Sequence, residues 1–192
     1  TGYQEILTDP SYRGQIVSLT FPQVGNYGVN EDDRESRRTW LSGFVVKELS
    51  AVASSWRATG DLGSYLAAGG VVGIQGIDTR ALTRHLRMNG AQHGVVSTSD
   101  LDTASLARKL AAAPRIVGVD LVREVTCAEP YPWTESVEGV PAPAVVPGST
   151  RRHVVVLDCG VKHNILRHLV STGFRVTVVP ATTPAAEALA LR

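Results

Sequence analysis

The sequence is poor in cysteine, with only Cys127 and Cys159, far apart in the chain. No disulfide framework is implied by such a pair. No apolar run approaches the ~18 residues of a membrane span, so no membrane partner is expected. An excess of either charge is also missing: 19 basic side chains face 18 acidic ones. Nucleic acid is therefore not the expected ligand. The chain begins at Thr1 with no signal-peptide pattern, which is read as a trimmed or disordered amino terminus. Few cysteines and no export signal suit a reducing, cytoplasmic setting. His85, His93 and His168 stand at no metal-ligand spacing with carboxylates or thiols, and no metal is expected.

What is present is an ordinary globular composition, 43% hydrophobic over 192 residues. At roughly 100–200 residues per domain, that is one domain and part of another. The opening stretch Thr1 to Asn30 carries the densest signals. A short helix holding Ile6 and Leu7 should start at Gly2 or Tyr3. Asp9-Pro10-Ser11 ends it, because Pro10 disfavours a helical Asp9 and the trio is turn chemistry. Gln15 to Phe21 reads as a strand closed by Pro22. Gly25 and Gly28 tolerate a positive φ.

Asn30 to Arg38 reads as a solvated loop or helix start, and Leu41 to Leu49 as a strand. Ser54 to Arg57 is a turn, with Trp56 expected to be a packing anchor. Asp61 should cap a helix reaching Ala68, stopped by Gly69-Gly70. Val71 to Ile77 is a glycine-punctuated strand leading into a helix over Arg80 to Met88, capped by Asp78 or Thr79. Leu82 and Leu86 form its apolar stripe, opposite Arg80, Arg84 and Arg87. Those arginines read as a solvated face first and a protein interface second. A short strand over Gly94 to Ser97, a helix over Leu101 to Ala112 and an extended segment over Asp120 to Val125 complete a first domain, 1–128.

Residues 129–151 hold Pro130, Pro132, Pro141, Pro143 and Pro147, with Gly139 and Gly148. They read as a semi-rigid linker with no part in a core. Residues 152–192 then show βαβ patterning. His153 to Leu157 is an apolar strand of the kind covered on both faces. Lys162 to Ser171 is a helix with Ile165, Leu166 and Leu169 inward, and Arg175 to Val179 is the second strand. The crossover should be right-handed. A further helix starts at Pro184. The expected class is α/β: a mixed β/α domain, then the first βαβ of a larger, flavodoxin-like sheet.

Cys159 stands between strand and helix, where free amides depress a thiol pKa, and His163 follows one helical turn later. That is a nucleophile–base pairing. The reading taken is the plainer one, a buried and unreactive thiol. Asp158, Gly160, Lys162 and Asn164 either bind an anion at the helix start or hold the turn by hydrogen bonds, and the structural role is preferred. The spacing is not a dinucleotide fingerprint. Ser11, on its own residues, is a turn serine.

TGYQEILTDPSY followed by QIVSLTFPQVGNYGVN resembles the opening signature of the small, glutamine-using subunit of carbamoyl phosphate synthase. GIDTRALTRHLRMNGAQHGVVS resembles the family's second signature, and DCGVKHNILRHLVSTGFRVTVVPATT the start of its class I amidotransferase domain. The likeness is weakest between about residues 100 and 150. It implies a ligase subunit in which a cysteine thiolate hydrolyses glutamine. Ammonia then passes to a large synthetase subunit, which makes carbamoyl phosphate from bicarbonate with ATP and magnesium, for arginine and pyrimidine synthesis. It implies no cofactor in this chain itself. It also implies that Ser11 reaches across the domain boundary to the bound glutamine. The family's nucleophile lies in a Gly-Ile-Cys-Leu-Gly-His type turn that these 192 residues lack. The catalytic Cys, His and Glu are therefore expected beyond residue 192. Two rival readings remain: a non-catalytic interaction module with a truncated α/β tail, and an enzyme using Cys159 itself.

Overall fold

A computed structural model describes residues 2–145 and 150–191. Pro147 and Gly148 of the expected linker lie outside the described residues. The chain divides into two compact units, Thr1–Val119 and Asp120–Arg192.

In the first unit α1 spans Tyr3–Thr8 and ends where Pro10 forces Asp9 into extended backbone. Pro10–Tyr12 forms one 3-10 turn. The strands are short: β1 (Ile16–Ser18), β2 (Gln23–Val24), β3 (Gly43–Val45), β4 (Glu48–Leu49) and, after α2 (Leu62–Ala68), β5 (Val72–Ile74). β1, β3 and β5 form a three-stranded parallel sheet in that order, while β2 and β4 pair separately. The single strand expected over Leu41 to Leu49 is thus split. Its first half lies between β1 and β5, and its second half turns away to β2. Parallel neighbours need a crossover. From β3 to β5 it is α2, capped by Asp61 and burying Leu62 and Leu66.

The core joins Tyr3 and Leu7 of α1 to Val24, Val29, Leu41, Phe44, Val46 and Val71. Glu35 and Ser36 are buried, so Asn30 to Arg38 is not simply a solvated loop. Trp56 is a second correction. Its ring is 91% exposed, and the side chain that ties this turn down is Arg57, 3.2 Å from Asp33.

α3 (Thr79–Asn89) is capped by Asp78 and α4 (Thr103–Ala112) by Asp102. No strand forms over Gly94 to Ser97. That segment instead lays Val96 against the sheet, where a Cβ on Gly43 would come within 2.7 Å of it.

In the second unit the residues expected to be extended form a short helix, α5 (Val122–Val125). Then come β6 (Tyr131–Trp133), β7 (His153–Asp158), α6 (His163–Ser171), β8 (Arg175–Pro180) and α7 (Ala185–Ala190). β7 and β8 are parallel, as the βαβ pattern requires, and β6 runs antiparallel to β8 at the edge. The proline-rich stretch is therefore not only a linker. Tyr131, Trp133 and Ala142 pack on the core of Cys127, Leu166, Val170, Val176 and Val178. Pro132 fits because an edge strand can spare a ladder donor. The compact units accordingly divide at Val119–Asp120 rather than near residue 128.

β7 is only half-buried, and Leu157 is 51% exposed, so it is not covered on both faces among the described residues. α6 turns Leu166 and Val170 inward, one turn apart, and leaves Ile165 exposed.

Candidate functional site

The corner carrying Ser11 is placed by α1, and α1 is held by buried polar bonds. Tyr3 stacks on Tyr27 with ring centroids 4.1 Å apart and donates its hydroxyl to the Gly28 carbonyl. Gln4, fully buried, uses its side-chain amide as a stretch of backbone would. Its Oε1 accepts from the Asn30 N–H at 2.9 Å, and its Nε2 donates to the Asn30 carbonyl. The Thr8 Oγ1 donates to the Gln4 carbonyl and accepts from the Glu35 N–H, each at 2.9 Å. The Ser36 hydroxyl donates to the Thr8 carbonyl at 2.6 Å and accepts from Trp40 Nε1 at 2.7 Å. Gly28 is required twice over. Its φ is +69°, and a Cβ there would sit 2.6 Å from the Ala58 Cβ and the Gly60 oxygen.

On this base the Asp9 Oδ1 accepts from the Ser11 N–H at 2.9 Å. The Gln15 Nε2 donates to the Ser11 carbonyl at 3.0 Å. Ser11 itself is exposed. Burial pushes the Tyr3 and Tyr27 phenols up. It also raises Glu5, a rise reinforced by the Asp33 and Glu35 carboxylates. One Glu5 carboxyl oxygen is buried with no hydrogen-bond partner among the described residues.

The β7–α6 turn is held by Asp158, which is buried and accepts at one oxygen from the N–H groups of Gly160 and Val161, at 3.0 and 2.9 Å. Gly160 has a φ of +96°. For Asp158 and Gly160 this is the turn-holding role. Lys162 precedes α6 without a side-chain cap, and Asn164 lies in its first turn. Cys159 is exposed, not buried as expected, and Cys127 is the buried thiol. The turn keeps its strand-end cysteine on the surface because Asp158, one residue earlier, takes the inward position. The His163 ring packs against Trp133 with centroids 4.7 Å apart. A strand inside the proline-rich stretch was not foreseen, so neither was this contact.

A cleft of about 980 Å³ opens in this unit, lined by Trp133, Arg151, Arg152, His153, Val170 and Arg175 among others. It lies at the amino ends of β7 and β8, whereas Asp158 and Cys159 lie at the carboxyl end of β7. Sites in open α/β sheets form at the carboxyl ends.

Arg80, Arg84 and Arg87 are all exposed on α3, opposite half-buried Leu82 and Leu86. Among the described residues no three His, Cys, Asp or Glu side chains come together as a metal-binding group. No helix among them is long and apolar enough to cross a membrane.

The architecture defines a mixed α/β protein with parallel sheets. Residues 1–96 match the family model of the carbamoyl-phosphate synthase small chain, CPSase domain. The chain is 57% identical to the carbamoyl phosphate synthase small chain of Syntrophotalea carbinolica, with 100% of this chain and 51% of that protein aligned. It is 51% identical to that of Pseudomonas aeruginosa, with 100% and 52% aligned. Against the chloroplastic small chain of Oryza sativa subsp. japonica it is 47% identical, with 100% and 43% aligned. The chain belongs to the carbamoyl-phosphate synthase small chain family. It spans about half the length of these relatives.

Proposed function

We propose that the protein containing this chain hydrolyses glutamine and delivers the ammonia to a large synthetase subunit, in the cytoplasm. That partner makes carbamoyl phosphate from bicarbonate, using ATP and magnesium, for arginine and pyrimidine synthesis. A cysteine thiolate attacks the side-chain amide of glutamine. The amide nitrogen leaves as ammonia, and water cleaves the resulting thioester to release glutamate. In this reading Ser11 contacts the bound amino acid, for which a hydroxyl that both donates and accepts is suited. The observation that carries the reading is the opening corner: a family signature whose serine is exposed on a backbone fixed from both sides.

Cys159 is not the nucleophile in this proposal. Hydrolysis needs an activated thiolate and a base to relay the proton, and the nearest histidine in sequence packs its ring on Trp133. Ammonia release by the complete protein tests this. Cys159→Ser should keep most of the activity. A loss of several orders of magnitude with the fold intact would promote Cys159 to nucleophile. For the partner, the exposed arginines of α3 are one candidate edge. Arg84→Glu should weaken co-purification with the large subunit in a salt-sensitive way. A complex unchanged at all ionic strengths would leave that face merely solvated.

A further inference from the structure

We infer that Asp9 and Gln15 are positioning residues that fix the Ser11 hydroxyl for its contact with glutamine, an inference that rests on the reading of Ser11 given above. Ser11 sits in a single 3-10 turn whose backbone bonds, from the Tyr12 N–H to the Asp9 carbonyl and from the Arg13 N–H to the Pro10 carbonyl, bracket it without using its own peptide groups. Its peptide groups are held instead by two side chains. The carboxylate of Asp9 takes the Ser11 N–H, and the amide of Gln15 gives to the Ser11 carbonyl. Between Asp9 and Ser11, Pro10 fixes φ and removes a competing donor. The two holding residues differ in footing. Asp9 is only 9% exposed and directly follows the fully buried Leu7 and Thr8. Gln15 is exposed and immediately precedes β1. Ser11 itself is exposed to solvent.

The test is a set of variants of the complete protein, read by KM and kcat for glutamine and by thermal midpoint. Removing one net hydrogen bond in Ser11→Ala should raise KM about 2- to 13-fold. Asp9→Ala should raise KM into the same range with kcat little changed. Asp9→Asn, which keeps an acceptor for the Ser11 N–H, should restore it. In the Ser11→Ala background Asp9→Ala should add nothing to KM, because both act through one hydroxyl. Gln15→Ala changes an exposed side chain, folds irrespective of the fate of Asp9→Ala, and should raise KM by about twofold, the low end of the same range. An unchanged KM in Gln15→Ala or Asp9→Ala, with Ser11→Ala affected, overturns the positioning role alone. Equal KM effects of Asp9→Ala with and without Ser11 overturn it too. An unchanged KM in Ser11→Ala overturns the reading of Ser11 and this inference together.

Discussion

Residues 2–50 and residues 79–119 belong to one compact unit, yet they are held by different means. The first region is laced by buried polar bonds that join residues 25 to 28 positions apart, from Tyr3 with Gly28 to Ser36 with Thr8. The second consists of helices capped from within. Asp78 and Asp102 each serve the first turn of their own helix, and Thr79 is the sole buried residue between 79 and 119. A cap defines where a helix starts without saying what it packs on. A buried Gln4 bonded to Asn30 does the reverse, fixing two distant segments against each other with little effect on local conformation.

The largest expected effect follows from that difference. Gln4→Ala leaves the Asn30 N–H and carbonyl buried without partners, and each such loss costs about 1–3 kcal/mol. A matching fall in the denaturant midpoint is expected, whereas a change under about 0.5 kcal/mol would mean water replaces the amide. In the second region Asp102→Ala removes an acceptor for the Ala104 and Ser105 N–H groups. It should cost about 1 kcal/mol at most and should fray α4 alone, seen as lost helical signal without a shift in the main transition.

The smallest effect is a gain. The Glu5 carboxyl is raised in the fold by burial, so the folded state holds its proton to higher pH than the unfolded chain does. Glu5 therefore costs nothing when both states are protonated at low pH. It penalises the fold as pH rises through and above the ordinary carboxylate range. Glu5→Gln should raise the melting temperature at neutral pH, with the gain fading on acidification. A gain independent of pH would contradict the assignment.

These contrasts also mark what was readable in advance. The caps at Asp61 and Asp78 and the β7–α6–β8 unit are written in local spacing, and they appear where spacing places them. The burial of Gln4, Glu35 and Ser36 is not local. Each residue type is polar, and only its distant partner makes burial tolerable. Trp56 misled in the other direction, since ring size argues for burial but no core face lies beneath its turn. Tyr131 and Trp133 were masked by surrounding prolines, which mark loops by composition but still permit an edge strand. At the candidate site the Asp9-Pro10-Ser11 turn was legible because its chemistry is contiguous. The hold that Gln15 exerts on the Ser11 carbonyl, and the exposure of Cys159, were not.

The most direct test of the account is amide hydrogen exchange under native conditions, comparing the N–H groups of Asn30, Glu35 and Trp40 with those of α4. The first three donate to the Gln4 side chain, the Thr8 hydroxyl and the Leu7 carbonyl. They should exchange only through global unfolding of their unit, although none lies in a helix or named strand. The amides from Leu106 to Ala112 should exchange by local opening, faster and with little dependence on denaturant. Amides of α4 as slow as those of Asn30, Glu35 and Trp40 would contradict the claim that the opening segment's buried polar bonds organise this unit.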